Sequence, residues 1–341
     1  MSGLRVLRAG PAVTVQDLGR PGFLAFGLSR GGAMDRLALA EGAALLNQPV
    51  ALAALEMAGL GGLFEAGRDL RIALTGAPMA ATIDGRPVAW NACHALPRGA
   101  RLEIGGASRG VHGYLSVGGG IATPPVLGSR AAHLAAGIGA PVAAGQTLPI
   151  GADPAPGRVG LHLPAADRFD GGTVRIVAGP QTGLFAPGIL ARLERETFRR
   201  DTRGNRMGVR LLPEGAGLAA EAGLSILSEI VVPGDIQITG DGTPFVLMAE
   251  CQTTGGYPRI GTVIAADLPR IAQAAPGARL RFAFLGQEEA EAAEAAERAR
   301  QRALGRTVRP LIRDPASIPD LLSIQLISGV TAGDDLERDV T

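Results

Sequence analysis

Through the first 150 residues the apolar positions come in short runs, each closed by Gly, Pro or Asp. LRVLRAG, AVTVQDL, LRIALTGA, ATIDGRPVAW, RLEIGGAS and HGYLSVGGGI read as strands, and Asp84-Gly85 predicts a tight hairpin turn between two of them. One stretch breaks the pattern. In residues 35–47, Leu37, Ala40, Ala44 and Leu45 fall near helical spacing, and Asp35 stands where an N-cap belongs. Strand-like runs return at SILSEIVV, DIQITGDG, FVLMAEC and RLRFAFL. Helices are expected over 187–198, 267–274 and 287–304, the last stopped by Gly305.

Residues 151–173 are rich in Pro, Gly and Asp and read as a connector. The expected organisation is a β-barrel unit over 1–150, that connector, a second β-barrel unit over 174–285, and a helix with a docking arm over 286–341. The tail GDDLERDVT is expected to fray. RVLRAGP (5–11) resembles VRIVAGP (174–180), which a duplicated β unit would explain and so would chance. Strands following strands, with few helices between them, make a mainly β chain of barrel type rather than a doubly wound sheet.

Composition narrows the function. With 33 basic and 32 acidic residues among 341, the net charge is +1, which argues against nucleic acid as a partner. No apolar run reaches the length of a membrane span, and MSGLRVLRAG lacks the apolar core of a signal peptide. Cys93 and Cys251 make no disulfide framework, so a cytoplasmic enzyme or enzyme subunit is expected. Every basic residue is arginine. Without lysine the chain can form neither a P-loop nor a Schiff base, and it cannot carry biotin.

Candidate chemistry lies in three glycine-rich runs. In TVQDLGRPG (14–22), Gln16, Asp17 and Arg20 cluster as acceptor and guanidinium fork; a turn held by an Asp–Arg pair is the plainer reading. The glycines that follow lead to Asp35 and a helix start, a place where an anion can bind or where Asp35 simply caps. GNRMG (204–208) presents Asn205 and Arg206 on a turn, with the arginine suited to a carboxylate or phosphate. CQTTGGYP (251–258) offers Gln252, Thr253, Thr254, the backbone of Gly255 and Gly256, and Tyr257. Paired neutral donors and acceptors of this kind suit an amide or ureido group, or an oxyanion. The four histidines have no metal-ligand spacing, so no metal site is expected. Cys251 has no evident base.

VQDLGRPG, GGAMD, LTGA, GYLSVGGGI, VLGSR, GNRMG, PGDIQITGDGTP and AECQTTGGYPRIGTVIAADLPRIAQAAPG occur in that order. Together they resemble the biotin-dependent carboxyltransferase subunit family, also called allophanate hydrolase subunit 2 or KipA-like. The C subunit of bacterial 5-oxoprolinase and part of urea carboxylase belong to it. Many members carry a basic residue in place of Cys251, which weakens a nucleophile role for that thiol. The resemblance implies cyclophilin-like β-barrel domains and work within a complex, with a B subunit of allophanate hydrolase subunit 1 type and, in 5-oxoprolinase, an A subunit. Of the implied chemistries, ATP-dependent hydrolysis of 5-oxo-L-proline to L-glutamate comes first. The alternatives are carboxyl transfer from biotin, borne by another chain, to urea or a related amide, and a non-catalytic regulatory role. ATP is expected at a subunit interface. One cleft would join Asp17, Arg20 and Gln252 as catalytic groups to Gln16, Asp35, Asn205, Arg206, Thr253, Thr254, Gly255, Gly256 and Tyr257 as substrate-binding groups, with Arg20 and Arg206 on anionic parts. Asp17 would accept a proton or orient Arg20.

Overall fold

The computed structural model describes residues 3–164, 166–218 and 226–312. Strand Gly3–Ala9 shows how the first half forms: Leu4 and Val6 are fully buried while Arg5 between them is exposed, so one face turns to a core. Its six-stranded sheet runs Thr147–Pro149, Gly3–Ala9, Gly62–Ala66, Arg101–Ala107, Met79–Ile83, Arg86–Pro87. A seven-stranded sheet runs Val13–Gln16, Ala54–Ala58, His112–Val117, Leu70–Gly76, Ala92–Leu96, Leu161–His162, Arg309–Pro310. Leu4, Val6, Leu55, Phe64, Ile72, Leu102 and Leu115 fill the space between them. Asp84 (φ 48°) and Gly85 (φ 78°) turn the hairpin between Met79–Ile83 and Arg86–Pro87, both in the left-handed region that Asp and Gly tolerate.

Helix α1 (Arg36–Leu46) covers the other face of the seven-stranded sheet. Its Ala38 and Leu39 pack with Tyr114, and its Leu45 and Leu46 with Ala73 and Cys93. The strands beneath it, Leu70–Gly76 and His112–Val117, are therefore buried along their whole length.

In the second half seven strands close into a barrel, ordered Gly171–Val177, Arg259–Val263, Asp235–Ile238, Pro244–Leu247, Gly208–Pro213, Phe198–Gly204, Arg279–Phe284. The closing pair, Gly171–Val177 with Arg279–Phe284, is parallel and the other neighbours are antiparallel. Among the described residues closure is confined to this half, and the first half, expected as a barrel, is two open sheets. Helices α2 (Pro187–Arg195), α3 (Leu268–Gln273) and α4 (Gln287–Thr307) pack around it. Gly305 does not stop α4, as the sequence led us to expect. It keeps a helical backbone, and the chain leaves at Val308 before Arg309–Pro310 pairs with Leu161–His162. The tail GDDLERDVT lies outside the described residues.

A buried clasp joins the halves. Arg168 donates to Asp35 Oδ2 (2.7 Å) and, through both terminal nitrogens, to Glu41 (2.9 and 2.7 Å). Gln273 of α3 donates to Asp35 Oδ2 and to the His112 carbonyl (both 2.8 Å), and its oxygen accepts from the Val111 and His112 amides. Burial pushes the Glu41 carboxyl up, and Arg168 opposes that shift. Arg168→Ala leaves two buried carboxylates without their cation, so we expect a loss of about 3–5 kcal/mol, seen as a lower urea midpoint; an unchanged midpoint contradicts the clasp.

Candidate functional site

The hairpin of Phe198–Gly204 and Gly208–Pro213 turns at Asn205–Met207, where Asn205 Oδ1 accepts from the amides of Met207 (2.8 Å) and Gly208 (3.2 Å). Beside it, on the barrel, opens a cavity of about 840 Å³ lined by Asn205, Gln237, Gln252 and Tyr257, with Arg203 and Arg210. Gln252 Nε2 donates to Gln237 Oε1 at 3.2 Å. The Gln237 Nε2 is buried and has no partner among the described residues. It fits there because residue 255 is glycine: a Cβ at Gly255 would lie 2.4 Å from it. Arg210 is paired to Asp201 (2.9 Å) and Asp241 (3.3 Å), and Arg203, paired to Asp201, is largely exposed. The cavity thus offers three carboxamides and a phenol, with guanidinium groups around them.

A second cavity of about 420 Å³ lies between the halves, against Glu56, His112, Arg200, Arg206 and Glu250. Gly204, Asn205 and Met207 line both cavities. Arg206 donates from Nε to Glu250 (2.5 Å), from Nη1 to Glu56, and from Nη2 to the Gly32 carbonyl (2.6 Å). Glu56 also accepts from the Met34 amide (2.8 Å) and the Tyr114 hydroxyl (2.5 Å). Burial alone would raise the Glu56 carboxyl, but Arg206, His112 and these two donors hold it below its ordinary value. Burial lowers the His112 imidazole despite the nearby Glu56, so the ring is neutral at pH 7.

These contacts sort the residues singled out in the sequence. Asn205, Gln252 and Tyr257 share the open cavity. Thr254 and Gly255 form a short strand against Glu229–Ile230, Thr253 and Gly256 bond through their carbonyls to the amides of Val231 and Ile226, and none of the four lines either cavity. Gln16 is fully buried, donating to Thr14 and the Ala132 carbonyl. Asp17 neither pairs with Arg20 nor faces a cavity. Its oxygens accept from the Gly19 amide (2.8 Å), the Ser129 hydroxyl (2.6 Å) and the Arg130 amide (2.7 Å), which fasten one loop to another. Arg20 is 1% exposed and donates to the carbonyls of Ala131 and Val126, so it is walled off from any ligand.

Asp35 caps α1 by accepting from the Ala38 amide (3.1 Å) and otherwise belongs to the clasp. Arg206 has no free fork for a substrate, because two carboxylates and a carbonyl occupy it. The glycine-rich loop before α1 is no anion cradle either. The amides of Gly31, Ala33, Met34 and Asp35 already donate to Ala249, Asp17, Glu56 and Tyr114. Cys251 is buried, and its thiol is pushed up to about 12, first by burial and then by Asp235. The sequence reading missed Glu56, His112, Arg200, Gln237 and Glu250. A signal existed for two of them: Glu56 interrupts ALEMA and Gln237 interrupts DIQI, and a polar group inside a buried run needs a partner.

Residues 26–284 match the family described as carboxyltransferase domain, subdomain A and B. Over 294 residues the chain is 36% identical to the C subunit of 5-oxoprolinase from Escherichia coli, covering 84% of this chain and 93% of that protein. The solved structure of TTHA0988 is similar at a TM-score of 0.74 and 33% identity, over 82% of this chain and 55% of that one. The urea carboxylase of Kluyveromyces lactis is similar at a TM-score of 0.77 and 24% identity, over 92% of this chain and 31% of that one. This chain therefore spans only part of the length of either solved relative.

The state of the two thiols gives a direct check of the site. Cys93 and Cys251 are both buried, and burial raises both thiols. A thiolate-selective reagent at pH 8 should find no fast-reacting group in the native protein and two after denaturation. A fast native thiol would restore Cys251 as a nucleophile.

Proposed function

The chain belongs to the carboxyltransferase domain family of subdomains A and B, and from that premise we propose that it serves as the C subunit of a 5-oxoprolinase, contributing the amide-holding site for ATP-dependent opening of 5-oxo-L-proline to L-glutamate. The observation that carries this reading is 36% identity to a 5-oxoprolinase C subunit across 93% of that protein's length. The geometry agrees with it. A lactam presents one N–H and one C=O in a plane, and Gln252, Gln237 and Asn205 present carboxamides of matching polarity in one cavity. We assign the lactam to Gln252 and Asn205, with Tyr257 at its side and the exposed Arg203 as the charge nearest solvent. Such groups position the carbonyl for attack by water and stabilise charge on its oxygen.

The chain shows no familiar phosphate-binding motif. The sequence has no lysine, and the amides of Gly31, Ala33, Met34 and Asp35 before α1 are already bonded. We therefore place the nucleotide at an interface with the A subunit or with a B subunit of allophanate hydrolase subunit 1 type, and no step at this chain's own residues depends on it. The urea carboxylase likeness, at 24% identity, supports a shared fold and brings no carboxyl transfer with it.

Two outcomes are expected. The purified chain alone shows no 5-oxoproline-dependent ATP hydrolysis and gains it when the A and B subunits are added; full activity from the chain alone overturns the reading. Gln252 is exposed and among the described residues its side chain bonds only Gln237, so Gln252→Ala should fold and assemble normally. Its turnover per assembled complex, checked by size-exclusion chromatography, should fall about 10²–10³-fold. Turnover at the wild-type rate would remove Gln252 from the site.

A further inference from the structure

We propose that the cavity between the two halves is a binding site for a small organic monocarboxylate, with Arg200 as its charge partner and His112 as a neutral hydrogen-bonding group beside it. This site is separate from the amide cavity and does not rest on the assignment to 5-oxoprolinase.

The argument starts from an unpaired cation. Arg200 is 7% exposed, yet no carboxylate lies within ion-pair distance of it among the described residues. Its Nη1 donates to the Asp201 carbonyl (3.2 Å), and its buried Nε has no partner. Arg168 and Arg206 are similarly buried on the same seam, and each holds two carboxylates. Arg20 also lacks a carboxylate, but it bonds two carbonyls and lines neither cavity. A buried charge without a counter-charge is costly, and an anion entering the cavity relieves that cost. The space around the guanidinium is held open by Gly204, where a Cβ would lie 2.7 Å from Arg200 Nη2.

The walls select the kind of anion. Met34, Ala58, Val111, Leu134, Val209 and Ala272 give an apolar lining. Glu56 and Glu250 stand on the same walls and share one cation, Arg206, so this triad keeps a net negative charge that disfavours a dianion such as phosphate more strongly than a monoanion. His112, 6% exposed, has a buried Nδ1 with no hydrogen-bond partner, 3.7 Å from Glu56. Its neutral ring offers one donor or acceptor to a polar atom of the ligand. A volume of about 420 Å³ falls within the range of small-molecule sites. One positive charge, one neutral ring and an apolar wall fit a compact carboxylic acid anion.

Calorimetric titration of the purified chain tests this with cyclopentanecarboxylate as the probe, against cyclopentanecarboxamide and inorganic phosphate. The carboxylate should bind at least 10-fold more tightly than either. Equal or weaker binding of the carboxylate overturns the proposal whatever the variants do. Arg200→Gln should weaken the carboxylate at least 10-fold and leave the urea midpoint equal or higher, because it removes an uncompensated buried charge. Gly204→Ala, which crowds the guanidinium without removing it, should also weaken binding. Arg86→Gln, on an exposed strand, should bind as wild type does. If Arg200→Gln binds the carboxylate as wild type does, or unfolds while Gly204→Ala binds normally, Arg200 is a structural residue and the site assignment fails.

Discussion

One guanidinium decides how the two halves meet. Arg206, on a turn of the barrel, reaches Glu56 in a strand of the first half, Glu250 in the second half, and the Gly32 carbonyl at the approach to α1. Withdrawing three charges from water costs several kcal/mol per ion, and mutual attraction recovers this only when the geometry is right. The triad therefore acts less as a source of stability than as a condition on register: slide the halves, and Glu56 is left buried without its cation. Apolar contact alone would tolerate such a slide. Met34, bonded through its amide to Glu56, carries its side chain into the barrel core, so the same contact also anchors the loop before α1.

The triad also sets the position of the site. GNRMG and AECQTTGGYP are more than 40 residues apart in the chain, and the Arg206–Glu250 pair holds them side by side. Asn205 precedes Arg206 and Gln252 lies two residues beyond Glu250, so fixing the ion pair brings both amides to one cavity wall. Asn205 has little freedom of its own, because its side-chain oxygen is committed to the turn. The buried charges thus serve the exposed amides indirectly, by holding the backbone that presents them. It is also why the two cavities share Gly204, Asn205 and Met207.

The sequence made local structure legible wherever a residue's role depended on its neighbours in the chain. Asp35 caps α1, Asp84-Gly85 turns a hairpin, and most of the strand-like runs contain strands, SILSEIVV only over Glu229–Ile230 among the described residues, because capping, left-handed backbone and alternation are all short-range. What could not be read was partnership across the fold. Arg20 and Arg206 have the chemistry to bind an anion, and nothing in their flanking residues says that carbonyls 100 or more positions away, or two glutamates, already occupy them. Glu56 shows the reverse case. An acid within ALEMA had to be paired, but only the fold supplies the partner. A barrel in the second half was expected, but not which strands close it, since that depends on a parallel pairing of strands over 100 residues apart.

Glycine carried the ambiguity furthest, and the structure shows what separates its uses. Gly19 and Gly32 both have left-handed backbones (φ 79° and 84°). A Cβ at Gly19 would lie 2.5 Å from the Arg30 carbonyl, and one at Gly32 would lie 2.6 Å from the Gly19 amide. These glycines let two backbone segments pack against each other, and the Arg20 and Ala33 amides are spent on the Arg30 and Asp17 carbonyls between them. At Gly255 and Gly204 the missing side chain instead makes room for a polar head, the Gln237 amide in one case and the Arg200 guanidinium in the other. Each of those heads keeps a nitrogen without a partner among the described residues. At the two barrel glycines the missing side chain leaves a polar head beside a candidate cavity, whereas at Gly19 and Gly32 it lets backbone meet backbone.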